Sequence, residues 1–459
     1  MISFVYTVLS FVVAISVLVV VHEFGHYWVA RRLGVKVLRF SVGFGKPLWA
    51  RRFGRDQTEW VIAAIPLGGY VKMLDEHEGK VAKRDLARAF NRQPIPKRAA
   101  IVLAGPLFNF LFAILAYGFL YMAGVDGLRP VVGQVAENSP AQLAGFRAGD
   151  ELLSVDDYRI QSWEQRRLYL YEKALDRATV RFTVRDKDRL TQERVLDLSS
   201  LSAADVGAGL LERKIGLSPL LPEPEPVIGS LDERGAAAQA GMKVGDRIVT
   251  VDGRPVATWT ALVTAISTRA GQALLLQVER DGVTHEFRVT PQAVVSGGRE
   301  KSAKTVGRIG VGVQRPALPA DMRVVVRQAP FAAFAEGIDT TWRMSALTLK
   351  MLAKMVMLEI STETISGPLT IAQYAGASAQ IGLDRFIQFL AVVSISLGVL
   401  NLLPVPVLDG GHLLFYVIEA IQGRPLSGVV LYWGQQIGIV LLVALMALAF
   451  YNDFMRLLP

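Results

Sequence analysis

The residues from Phe4 to Val21 are almost wholly apolar, carry no charge, and run without a break into His22-Glu23-Phe24-Gly25-His26. An apolar run of that length is what a helix needs to cross a bilayer. It constrains the fold more than any other stretch, because ionisable groups inside a span are costly and usually mark function. On a helix, His22 and His26 stand four residues apart on one face, so both imidazoles can grip one metal ion. Glu23 falls beside that ion. There a carboxylate can take a proton from water whose pKa the metal has lowered, which yields a nucleophile for amide hydrolysis. An accidental match at a helix end is the bland alternative, and the uncharged apolar run before it argues against chance.

About half of the 459 residues are hydrophobic (51%) while 20% are charged, a mixture that points to membrane spans joined to soluble modules. The chain has no cysteine, so a metal must be held by His and carboxylates, and the redox compartment stays open. The net charge of +9 does not point to nucleic acid, because 16 of the 50 Lys and Arg residues fall between Arg31 and Arg98, flanked by apolar segments. Under the positive-inside rule that stretch is a cytoplasmic loop. The first apolar segment is longer than the roughly 7–15 residues of a signal-peptide core, lacks a basic start and contains the motif itself. It is expected to be retained, with its N-terminus outside. His22 then lies roughly 27 Å along the helix from Phe4, which puts the metal near the cytoplasmic side.

Taken in order, residues 1–32 form the first span and 33–98 a membrane-associated sheet with a basic loop. Within the latter, residues 39–45 and 59–65 have strand character, Pro66-Leu67-Gly68-Gly69-Tyr70 reads as a bend, and 75–98 as a surface helix or loop that Pro94 and Pro96 end. The sheet is either a plain cytoplasmic hairpin or an edge that pairs with an extended substrate, which matters because a peptide bond inside a helix resists attack. Residues 99–125 are a second span opening with Ala104-Gly105-Pro106-Leu107-Phe108-Asn109. Asn109 is a polar amide in an apolar helix, suited to packing or to substrate contact.

Next comes an internal repeat, seen by laying Pro130 onward over Pro226 onward at a constant offset of 96. Gly133 meets Gly229, Ala144-Gly145 meets Ala240-Gly241, Gly149-Asp150 meets Gly245-Asp246, Val155-Asp156 meets Val251-Asp252, and Trp163 meets Trp259. The stretch from Ala240 to Gly253 resembles the PDZ domains of bacterial membrane and periplasmic proteases, and Asp157 in place of Gly253 leaves the first copy similar. The copies are expected at 126–221 and 222–312, joined by a stiff linker with four prolines between Pro219 and Pro226. PDZ domains capture extended segments by strand addition, although a spacer with dead grooves would read the same.

Residues 297–305 are polar and basic and read as a loop. Region 313–380 holds an amphipathic helix from Phe331 to Glu359, with Arg343, Lys350 and Lys354 off its apolar face, broken at Ser366-Gly367-Pro368. It lies on the membrane surface or packs on neighbouring helices. In region 381–412 a third span, from about Phe386 to Leu400, leads into Asn401-Leu402-Leu403-Pro404-Val405-Pro406-Val407-Leu408-Asp409-Gly410-Gly411-His412, and a fourth occupies 427–459. Two histidines leave zinc short of a third protein ligand, and the isolated Asp409 fits that place. Pro404 and Pro406 deny their segment helical hydrogen bonds, which is tolerable where backbone lines a cavity. His77 and His285 are expected at the surface, and His412 at a helix start or behind the ligands.

The HExxH span, Gly105-Pro106 with Asn109, the tandem PDZ-like units, and Leu408-Asp409-Gly410 after Asn401 together resemble the site-2 protease family of intramembrane zinc metalloproteases, over essentially the whole chain. The resemblance implies a multi-pass α-helical membrane protein with four transmembrane helices, a small membrane-associated β-sheet and two inserted PDZ-like α+β domains in the periplasm. It also implies Zn²⁺ on His22, His26 and Asp409, Glu23 as base, and Asn401 near the substrate or the oxyanion. As partners it implies the inner-membrane bilayer and pre-trimmed single-span substrates such as an anti-sigma factor, with signal-peptide remnants as further substrates. Two other classes stand beside it: a membrane-anchored PDZ scaffold with a non-catalytic metal site, told apart by turnover, and a divalent-metal transporter, told apart by flux.

Overall fold

The computed structural model describes residues 2–79, 81–296, 304–314 and 318–457. Two compact units emerge, one of residues 1–218 with 324–459 and one of residues 219–323.

The first unit is built on long helices: α1 (Ile2–Arg32), α2 (Ile95–Ala123), α3 (Pro330–Val356), α4 (Pro368–Ile381), α5 (Leu383–Leu402), α6 (Asp409–Gln422) and α7 (Gly428–Leu457). Among the described residues, four of them, α1, α2, α5 and α7, are long and apolar enough to cross a membrane. The second span starts earlier than the expected residue 99. Pro94 caps α2 and Pro96 sits in its first turn, where a missing N–H costs nothing, so these prolines open a helix and do not close one. The charged segment before it holds only two short 3₁₀ turns, Glu76–Glu78 and Lys83–Arg88. The third span runs slightly beyond the expected stretch from about Phe386 to Leu400. It ends at Leu402, residues 403–408 are non-helical, and Asp409 opens a separate helix, because Pro404 and Pro406 cannot continue the ladder.

Between α1 and α2 the strand Val37–Phe53 pairs with the strand Thr58–Met73. Residues 39–42 are flanked on one side by 59–62 and on the other by 69–72, while residues 49–53 pair with 58–62. The expected bend at 66–70 lies inside the second strand, with Gly68 at φ +139°. Phe44, Leu48, Trp49, Phe53, Ile62 and Ile65 are exposed on this sheet, as suits a sheet held against lipid. Its basic end is pinned to the loop beyond it, where Arg88 grips Asp56 through two bonds of 2.7 Å.

The repeat is a repeat of backbone. Each copy has a four-stranded sheet with the same strand order: 158–159, 151–155, 179–185, 191–197 in the first and 254–255, 247–251, 274–280, 283–289 in the second. The matched residues make matched turns. Gly149 and Gly245 lie at φ +94° and +96°, Asp156 and Asp252 at +47° and +48°, all in the left-handed region. The Asp156 carboxylate accepts from the Arg181 N–H, and Asp252 likewise accepts from the Leu275 N–H. After the fourth strand the copies diverge. The first continues into short helices Ala203–Gly207 and Leu211–Ile215, the second into a strand pair of 292–296 with 304–308. That pair takes up the end of the expected 297–305 loop, whose residues 297–303 lie outside the described residues.

The copies also differ in what their cores touch. Leu347, Met351 and Met355 of α3 pack onto the first copy's core, and Lys350 pairs with Asp176 at 2.8 Å. On another side, α3 lies against α2: Gly337 would bring a Cβ to 2.8 Å from the Ile114 carbonyl, and the Tyr121 and Thr340 hydroxyls are 3.2 Å apart. The amphipathic helix is therefore a bridge between the first copy and the second span. The second copy has a core of its own, centred on Ile248, Leu262, Leu276 and Val278.

Within that second unit Asp246 is 1% exposed and takes two bonds from Arg280, at 2.6 and 2.7 Å, plus the Lys243 N–H at 2.8 Å. Burial pushes this carboxyl up, but the Arg280 bonds and the Lys243 amide outweigh it and hold the group below the ordinary carboxylate range. A depressed folded-state pKa contributes stability above the unfolded value of about 3.9 that is lost as pH falls through the folded value. Asp246→Ala is expected to cost the second unit about 1–3 kcal/mol at neutral pH. Hydrogen exchange of peptides from 247–251 and 274–280 in the full chain reads this, and the gap from wild type should shrink in acid.

Candidate metal centre

The centre forms where α1 and α2 cross. Gly25, inside the HExxH motif, is required by the approach: a Cβ there would lie 2.4 Å from the Ala104 carbonyl oxygen. Across the crossing Gly105 is equally constrained, since its Cβ would meet His26 Nε2 at 2.3 Å and His22 Cε1 at 2.8 Å. Small residues on both helices thus let one backbone lie against the other's imidazoles. Pro106 contributes as well. Its ring crowds the carbonyl one turn back and loosens the ladder beside Ile101.

His26 Nδ1 lies 2.8 Å from the Ile101 carbonyl oxygen. A carbonyl only accepts, so Nδ1 carries the proton and donates it, and Nε2 is left bare. For His22 the partner of Nδ1 is the side-chain amide of Asn109, 3.1 Å away and fully buried. The Asn109 Oδ1 is buried with no hydrogen-bond partner. Turning the amide by half a revolution puts that oxygen where it accepts from His22 Nδ1–H, which bares His22 Nε2 in turn and leaves the amide N–H groups in the place where the oxygen had no partner. Asn109 is itself fixed from behind, because its backbone carbonyl accepts from Ser394 of α5 at 2.9 Å.

The third member comes from α6. Asp409 stands in the first turn of that helix, where the helix dipole favours a carboxylate. The loop before it is tight, with Val407 at φ +91°. A Cβ on Gly410 or Gly411 would lie 2.2 Å from the Leu403 carbonyl oxygen or 2.4 Å from that of Val405, so both glycines are needed for the turn to close.

Together these elements bring His22 Nε2 and His26 Nε2 to 3.2 Å from each other, and Asp409 Oδ2 to 3.2 and 3.6 Å from them. Asp409 Oδ2 is buried and has no hydrogen-bond donor. With both Nε2 atoms unprotonated, three lone pairs face one another at these distances and repel unless a cation sits among them. The edges of a tetrahedron with ligand bonds of about 2.0–2.1 Å are about 3.3–3.4 Å, so the donor set fits a small divalent ion of the zinc type. No other group of three such donors forms among the described residues.

Glu23 points from α1 toward the sheet. Its Cγ would be 3.3 Å from a Cβ on Gly69, and its largely buried carboxyl lies close to the Val71 backbone amide and feels both histidines and Asp409. Residues 69–72 are an outer row of the sheet, so the acid stands between the three donors and a strand edge.

Of the other residues named from sequence, Asn401 lies half-buried in the last turn of α5 and makes no side-chain hydrogen bond among the described residues. Asn109 sits behind His22. The His412 ring packs edge-on against Phe415 and stays outside the donor group. His77 bonds Asp75 at the surface, and His285 is exposed on its strand. Sequence reasoning missed the Ile101 carbonyl. A backbone acceptor leaves no side-chain signal, whereas Gly25 and Gly105 were legible as small residues in apolar helices.

The profile of peptidase family M50 matches residues 10–445 of this chain. Regulator of sigma-E protease RseP of Escherichia coli is 42% identical over 457 residues, covering 100% of each chain. A Neisseria meningitidis protein named as a candidate zinc metalloprotease is 43% identical over 455 residues, covering 99% of this chain and 100% of its own. Regulator of sigma E protease of Haemophilus influenzae is 36% identical over 456 residues, covering 99% and 100%. With bare nitrogens and a carboxylate converging beside an acid, and with similarity running end to end, the chain belongs to peptidase family M50.

Proposed function

We propose that this peptidase is an intramembrane zinc metalloprotease that hydrolyses peptide bonds within transmembrane segments, with Zn²⁺ held by His22, His26 and Asp409. The observation that carries this reading is the triangle of His22 Nε2, His26 Nε2 and Asp409 Oδ2, 3.2, 3.2 and 3.6 Å on its edges, with Glu23 beside it. Bound there, zinc supplies a Lewis acid that lowers the pKa of water and polarises the scissile carbonyl. Glu23 takes the proton from the attacking water and delivers it to the leaving amine. Asn109 fixes the His22 tautomer, as Ile101 fixes that of His26. Asn401, without a hydrogen-bond partner of its own, is free to steady the oxyanion or the unwound substrate. The edge at residues 69–72 beside Glu23 suits an extended substrate, the form in which a peptide bond is open to attack.

The substrates proposed are single-span membrane proteins already trimmed outside the membrane, an anti-sigma factor foremost, and after that signal-peptide remnants. The names of the E. coli and H. influenzae relatives support a place in sigma-E regulation. We place the enzyme in the bacterial inner membrane, with the PDZ-like units periplasmic and the metal near the cytoplasmic face. The basic residues between Arg31 and Arg98 support this orientation.

Two outcomes are expected. Purified enzyme should cut a single-span model substrate within its span, and Glu23→Gln should lose at least about 10²-fold in rate while keeping its zinc. Mass spectrometry of the products, with metal analysis of both proteins, checks this; near-normal cleavage by Glu23→Gln would sink the assignment. Gly105→Val should displace both imidazoles and lower zinc content together with activity, measured on folded protein.

A further inference from the structure

We propose that Arg98 and Glu419 are positioning residues, an ion pair that aims Asp409 at the two histidines by fixing the far end of its helix. The proposal rests on the metal site above.

Each histidine has a second partner that orients its ring, Ile101 for His26 and Asn109 for His22. Asp409 has none. Among the described residues its carboxylate meets only the two imidazoles, and its Oδ2 takes no hydrogen bond. Its direction is therefore set by the backbone of α6 alone. At the near end, that backbone is seated by Gly410 and Gly411 against residues 402–406.

The far end carries the second fixing point. Glu419 lies about 15 Å along α6 from Asp409, and Arg98 about 10 Å along α2 from Gly105. The helices thus run side by side in opposite directions from the metal centre to this pair. Arg98 Nη2 donates to Glu419 Oε1 at 2.7 Å, with the two side chains only 15% and 14% exposed. The Arg98 guanidinium also stands 4.8 Å over the ring of the buried Tyr416, and its Nε donates to the Gln93 carbonyl at 3.1 Å. Gln93 in turn bonds the carbonyls of Ala87 and Ala89. One arginine at the mouth of α2 therefore ties the helix that seats both histidines to the helix that carries the carboxylate. Removing one partner of a mostly buried pair leaves the other charge uncompensated, so α6 swings to find water.

The test uses full-length protein in detergent, loaded with Co²⁺ in place of zinc, and reads binding affinity and the visible d–d bands. Wild type is expected to bind one Co²⁺ per chain. Arg98→Met, which keeps length and loses charge, should bind ~10- to 100-fold more weakly with shifted bands, as loss of an outer-shell partner does. Glu419→Gln, which keeps shape, should change in the same direction and serves if Arg98→Met does not fold. Arg98→Lys, whose ammonium still reaches Glu419, should stay near wild type. Wild-type affinity and bands in either folded neutral variant, or Arg98→Lys as weak as Arg98→Met, would overturn the tether while leaving the metal site standing. A wild type that binds no Co²⁺ would overturn both.

Discussion

Everything at the centre depends on two backbones passing close enough that neither can carry a side chain at the crossing. Gly25 and Gly105 are that place. The closeness lets the Ile101 carbonyl reach His26 and the Asn109 amide reach His22, which orients both rings and turns their Nε2 atoms toward a third donor. Such an arrangement has an electrostatic cost in an apolar setting, and a divalent cation removes it. The motif alone would supply two imidazoles on one helix face; the crossing orients both toward Asp409.

The remaining elements serve to bring a carboxylate and a strand to that crossing. Asp409 arrives on a helix that begins there because two prolines stop the previous one and two glycines let the chain turn back. Glu23, one residue on from His22, stands between the donor triangle and the sheet edge at residues 69–72. The two histidines and the acid are thus brought together on one helix, with the strand edge beside the acid.

Much of this was legible in the sequence, for physical reasons. His22, Glu23, His26 and Asp409 stand out because ionisable groups are rare in apolar runs, and the span count follows from hydropathy. The end of the third span was legible because Pro404 and Pro406 forbid helix just beyond it, although hydropathy continues through Leu402-Leu403-Pro404-Val405. Pro94 and Pro96 were assigned to the wrong side of a boundary, since proline stops one helix and starts another with equal ease. Helical periodicity left the segment from Phe331 free to lie on lipid or on protein, and only Gly337, Lys350 and Met351 against their neighbours show that it bridges. The polar partner of His22 was visible as an odd amide, but which ring it faced depended on a crossing that no local pattern encodes.

The two repeats carry one more consequence. Their matching residues, Gly149 with Gly245 and Asp156 with Asp252, hold turns in left-handed conformations, so the shared register records what the backbone demands and is silent about ligands. Away from those turns the copies are free to drift. Where the second buries Leu262, the first buries Arg166, stacked on Trp163 and paired with Glu212. Duplication here copied a scaffold, and any specialisation of one copy would leave the sequence match between them intact.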